Sequence, residues 1–243
     1  VIINLYKKID KKGRDNMASQ GLLVYKFELL DKMDCDDIIN RLEREILEET
    51  RIIIEDYEQT SLSGIYIYSE IYKEREYNFE KNIFVDLSTK KYITVNFHID
   101  LANKLLDIWG SKKGAQRVIT GLSLAFDNKV IIDAYTLDIN KIINYMRSKD
   151  NIKVNKIKAN GILLEHDLLA DCTFDLSDRR APFETIAKYK DNIQRIALKY
   201  VISNEEVAMT LYKTGAVTVH KNRQNIKPEG LLFIYEMLLA AGR

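Results

Sequence analysis

Cysteine, proline and net charge are all scarce in this chain. Among 243 residues there are two cysteines, two prolines and a single tryptophan, and 37 Lys/Arg against 36 Asp/Glu leave a formal net charge of +1. Cys35 and Cys172 lie in no CxxC or Cys/His spacing, which argues against a zinc site, and one bridge at most rules out a disulfide framework. Two reduced thiols in a cytoplasmic protein is the reading adopted. With prolines only at 182 and 228 and no Gly/Ser-rich tether, any two units would have to adjoin directly. No apolar run reaches the length of a membrane span, so no membrane partner is expected. The balanced charge removes electrostatics of the whole chain as an argument for nucleic-acid binding. Basicity is local: residues 127–243 hold 18 Lys/Arg against 15 Asp/Glu.

Familiar catalytic signatures are missing as well. No GxSxG elbow, GxxxxGK[ST] loop or GxGxxG fingerprint occurs, which disfavours the common nucleotide-hydrolysing and dinucleotide-dependent enzymes, and no cofactor is called for. His98, His166 and His220 share no HxH or HxxxH spacing and read as structural histidines in or beside strands.

What the chain does have is 46% hydrophobic and 30% charged residues, enough to bury a core without staples. Its patterning predicts an α+β fold, with antiparallel or mixed sheets of short strands covered by helices. Two similar hairpin-plus-helix units are expected. The first has strands at 83–87 and 92–97 around a turn at 88–91, then a helix from Asp100 to Trp109. The second has strands at 207–212 and 216–220 around Thr214-Gly215, then a helix from Glu229. Around them the pattern predicts a strand at 21–30, a helix at 35–54, strands within 64–77, a helix at 115–126, a strand at 130–137 and a helix at 139–148. A strand pair at 152–174 and a helix at 183–202 complete it. Residues 1–20 read as a leader or tail, 21–150 as an N-terminal α+β unit and 151–243 as a C-terminal one, with one continuous domain as the alternative.

Three constellations bear on function. Trp109-Gly110-Ser111-Lys112-Lys113-Gly114-Ala115-Gln116-Arg117 is a Gly-bounded basic turn opening a helix, where amides and Lys112, Lys113 and Arg117 would meet a phosphate; the bland reading is a solvated helix turn. Lys221 and Arg223, with Lys213, Lys227 and His220, form a second basic group around the last hairpin, and Lys149, Lys153, Lys156 and Lys158 a third. Lysines on edge strands also serve to discourage unwanted pairing. Glu165, Asp167 and Asp171 would share one strand face if 161–176 were continuous, an arrangement that holds Mg²⁺ in nucleases; a turn near 167–169 would break the row. Glu70-x-x-Lys73 lacks the one-face spacing of a nuclease acid–lysine pair. The final helix, apolar nearly all round, must be buried on its own sheet or in a partner or second copy.

The expectation is a non-catalytic binding or assembly module, a complex subunit contacting DNA or RNA backbone through Lys112, Lys113, Arg117, Lys221 and Arg223, with a protein partner or homo-oligomer. The rivals are a metal-dependent nuclease or phosphoesterase using Glu165, Asp167 and Asp171, and a protein-only scaffold.

Overall fold

The computed structural model describes residues 19–44, 47–165 and 167–242. The leader expectation therefore falls almost wholly outside the described residues, as does His166. Among the described residues eleven strands form one antiparallel sheet and five α-helices pack on it. In chain order these are β1 (Gln20–Leu29), α1 (Cys35–Leu42), β2 (Thr50–Glu58), β3 (Ser61–Asn78), β4 (Ile83–Asp100), β5 (Leu105–Trp109), α2 (Lys112–Ala125), β6 (Val130–Ala134), α3 (Ile139–Arg147), β7 (Ile152–Glu165), β8 (Leu168–Asp175), α4 (Pro182–Tyr189), β9 (Ile193–Ile202), β10 (Glu205–Tyr212), β11 (Ala216–Val219) and α5 (Pro228–Ala241). The spatial order is β2-β3-β4-β5-β1-β11-β10-β9-β7-β8. β6 also joins β1, at Tyr25–Leu29, while β11 takes Gln20–Leu23 of that strand.

The second hairpin-plus-helix unit is found as expected: β10 and β11 turn through Gly215 (φ +87°) into α5. The first is not. Residues 83–100 form one strand without a turn at 88–91, and Leu105–Trp109 is a strand rather than the end of a helix. The real counterpart is β4–β5 followed by α2, so the repeat exists in shifted register. The chain reverses at 101–104, where Asp100 accepts hydrogen bonds from the backbone amide and side-chain nitrogen of Asn103, and Lys104 takes φ +55°. Five residues are too few for a helix but ample for a strand. The strands are not all short either, since β3 and β4 have 18 residues each. The predicted helix 35–54 stops at Leu42, and the predicted helix 183–202 is α4 followed by β9.

Two cores lie on opposite faces of the centre of the sheet. Leu22 and Val24 of β1 belong to one core, built on β7, β9, β10 and β11 under α3, α4 and α5. Phe27 belongs to the other, built on β2, β3 and β4 under α1 and α2, and Leu23 and Tyr25 pack against it. Alternation on β1 therefore feeds both cores. β5 is buried at all five positions for the same reason: Leu105 and Trp109 enter the first core, Leu106 and Ile108 the second. α5, whose apolar girdle demanded a cover, finds it on this sheet with Phe233, Ile234, Met237 and Leu238 buried. Among the described residues no helix is long and apolar enough to cross a membrane.

Candidate nucleic-acid interface

The turns that carry two of the basic groups, unrelated in sequence, attach on either side of one end of β1. Gly110 follows β5 and donates its amide to Gly21 of β1 at 2.8 Å. On the other side of β1, Gln20 lies opposite Val219, and its side-chain oxygen accepts the amide of Arg223 at 2.9 Å. The turn carrying Lys112, Lys113 and Arg117 and the turn carrying Lys221 and Arg223 thus flank the same strand end. Gly21 must lack a side chain here, because a Cβ would stand 2.6 Å from the Gly110 carbonyl oxygen.

The charges are not equally available. Lys113 reaches back to Glu70 on β3 at 2.7 Å, which raises the lysine pKa and lowers that of the carboxylate. Lys221 is held by Glu205, which also accepts the Lys227 amide at 3.0 Å. Burial would push the Glu205 carboxyl up, but Lys221 and the amide of Lys227 hold it low. Lys112, Arg117 and Arg223 make no ion pair with any described residue; the Arg117 guanidinium lies over the Tyr68 ring at 5.9 Å, and Arg223 Nε is buried without a hydrogen-bond partner. Ser111 caps α2 by accepting the Gly114 amide at 3.1 Å, and no acid occupies the first turn to offset the positive end of the helix.

The other constellations resolve into pairs. Asp171 accepts the Gly161 amide at 3.2 Å and sits 3.7 Å from Lys158, while Asp175 pairs with Lys156 at 3.3 Å and accepts the Ser177 amide. Lys156 and Lys158 of the third basic group are thus paired with acids across β7 and β8. The turn between these strands separates Glu165 and Asp167 from a continuous face with Asp171, and no group of three His, Cys, Asp or Glu among the described residues could hold a metal ion. Glu70 and Lys73 lie on opposite faces of β3, opposite Lys91 and Ser88 respectively.

Sequence reasoning missed a buried polar network beside this strand end. Asp107 on β5, 3% exposed, accepts the Tyr235 hydroxyl of α5 at 2.8 Å through one oxygen and meets His98 Nδ1 of β4 at 2.8 Å through the other. Trp109 Nε1 donates to the Tyr235 hydroxyl at 3.4 Å. With 105–109 read as helix, Asp107 could not be placed opposite His98. Burial pulls the His98 pKa down, but its hydrogen bond to Asp107 and the charges of Asp107 and Asp100 outweigh that, and the pKa rises above its ordinary 6.5. A raised native pKa contributes stability that is complete below the unfolded value and vanishes as pH climbs through the folded one. Urea midpoints are expected to fall on going from about pH 6 to pH 9, and His98→Gln should flatten that fall. An equal fall in the variant would assign it to other groups.

No protein-family profile matches this chain, and no curated protein matches it significantly.

Proposed function

We propose that the chain is a non-catalytic binding module, a subunit of a larger cytoplasmic assembly, that contacts nucleic-acid backbone with the basic end of β1. The observation that carries this reading is that the turn bearing Lys112 and Arg117 and the turn bearing Arg223 flank the same end of β1, and none of the three cations makes a salt bridge with a described residue. Phosphates are recognised by such groups without regard to base identity, so binding should be weak, sequence-tolerant and steeply salt-dependent.

The test is fluorescence anisotropy with labelled single- and double-stranded DNA over a salt series. Lys112→Glu with Arg117→Glu is expected to lower affinity at least ~10-fold at low salt and to reduce the slope of log K against log salt by about 1.4–1.8, two phosphate contacts' worth. Reversal of Lys156 and Lys158, already matched by Asp175 and Asp171, should change little. Equal binding by the Lys112/Arg117 variant would remove this surface as the contact.

A further inference from the structure

Beyond Tyr68, where pairing with β2 ends, and before Asn96, where pairing with β5 begins, β3 and β4 continue as a ribbon of two strands. Residues 69–78 pair only with residues 83–92, in unbroken register. Two-stranded ribbons are at best marginal in water without a cover. This one also exposes large apolar side chains, with Tyr92 64%, Phe84 59% and Ile83 51% exposed. The outer edge of β4 from Ile83 to Val95 has no strand partner among the described residues, no proline and no bulge, which is the template on which another strand adds.

The ribbon carries both signs of charge. One face holds Lys73, Arg75, Lys90 and Asp86; the other holds Glu70, Glu74, Glu76 and Lys91. A polyanion would find no uniform surface there, whereas a self-complementary strand would. We propose that the occupant of this edge is a second copy of the chain, whose β4 pairs antiparallel with β4 about a two-fold axis at Ser88. That register places residue n opposite residue 176 − n of the partner. Asp86 then faces Lys90, Phe84 faces Tyr92 and Ile83 faces Ile93, each twice by symmetry. Opposite-charge and aromatic pairs directly across strands are the stabilising ones. Neighbouring two-fold registers lose this match. Centring on Leu87 sets Lys90 against Phe84, centring on Thr89 sets Asp86 against Tyr92, and centring on Asp86 or Lys90 opposes a charge with itself. The register at Ser88 uses residues 83–93, all within the free edge, and joins two ribbons into a four-stranded sheet. Within each chain Asp86 lies 3.8 Å from Arg75 and Lys90 is bonded to Glu49, so the new contacts extend existing pairs into alternating chains of charge.

The 243-residue chain is expected to weigh close to twice its 28.3 kDa by light scattering at ~100 µM, where even a Kd of ~10 µM keeps most chains paired. Asp86→Lys and Lys90→Asp should each weaken dimerisation about 10-fold or more, and the double swap should restore it. Ser88→Cys gives a positive readout that does not depend on a destabilised variant. On the two-fold axis the paired Cα atoms lie ~4.5 or ~5.5 Å apart, within disulfide reach. Mild oxidation should yield a covalent dimer. Cysteine at 87 or 89, diagonal to its own copy at about 7–8 Å, should not link. A single-chain mass throughout overturns the proposal, as does cross-linking that peaks away from 88 or fails at 88. The dimer is independent of phosphate contact at β1, so a chain that pairs and ignores DNA sinks one reading and keeps the other.

Discussion

Asp107→Ala is expected to cost about 3–5 kcal/mol of stability, the range for stranding the partners of a buried ionic hydrogen-bonded group. The carboxylate is the meeting point of three elements: it ties His98 on β4 and Tyr235 on α5 to β5. Burial holds the Tyr235 pKa far above its ordinary value, so the phenol keeps its proton and needs an acceptor. Alanine removes that acceptor and leaves the imidazole without its counter-charge. Asp107→Asn would retain an oxygen for Tyr235 while losing the charge on His98, and should cost about 1–3 kcal/mol. Tyr235→Phe removes one donor and should cost about 1 kcal/mol. The order Asp107→Ala, Asp107→Asn, then Tyr235→Phe, from largest loss to smallest, is what urea denaturation below about pH 6.5 should return. Asp107→Ala within about 1 kcal/mol of the parent would mean that the network does not join α5 to the β4–β5 sheet. Against a typical domain stability of about 5–15 kcal/mol, the expected loss removes between about a fifth and nearly all of the margin.

Why this network escapes the sequence while α3 does not is a matter of burial geometry. Ile139, Ile142, Ile143 and Met146 recur at helical spacing because α3 buries a single stripe, and Asp138 caps it by accepting the amides of Asn140 and Lys141. β10, half-buried, alternates as a strand should. β5 does neither. Covered by a core on each face, its Leu-Leu-Asp-Ile-Trp run loses the period of two and resembles a helix fragment. The long ribbon misleads in the opposite way. Lys90 and Lys91 read as a turn because exposed strand faces without a core carry no apolar alternation to mark them. The basic residues at the end of β1 can be picked out singly from their types. That their turns share one strand end depends on Gln20 and Gly21 lying between two turns far apart in the chain, which no local pattern encodes.

Gly215→Ala should be the most damaging single-methyl addition in the molecule. The residue turns β10 into β11 at φ +87°, where an L side chain is already strained by about 1–3 kcal/mol. A Cβ there would also overlap the Tyr135 carbonyl, so backbone rather than a side chain has to yield. That backbone is not free to move. Leu137 donates its amide to Lys213 at 3.2 Å, Gly215 donates to Tyr212 at 2.9 Å, and the Tyr135 hydroxyl donates to the Leu238 carbonyl at 3.0 Å. Gly161 supplies the control: its φ is +65°, but the nearest atom to a Cβ is 4.0 Å away, so Gly161→Ala should show strain alone, about 1 kcal/mol. Gly215→Ala should lose at least twice as much in thermal or urea unfolding, and an equal loss at both sites would mean the Tyr135 contact is soft. Gly242 closes on the same tyrosine from the other side, since a Cβ there would run into the Tyr135 hydroxyl. Both substitutions displace one residue, so their costs should not add. Once Gly215→Ala has shifted Tyr135, Gly242→Ala should cost measurably less than it does alone, a coupling of about 0.5 kcal/mol or more in a double-mutant cycle. Strict additivity would show that the β10–β11 turn and the end of α5 respond independently, and that Tyr135 does not link them.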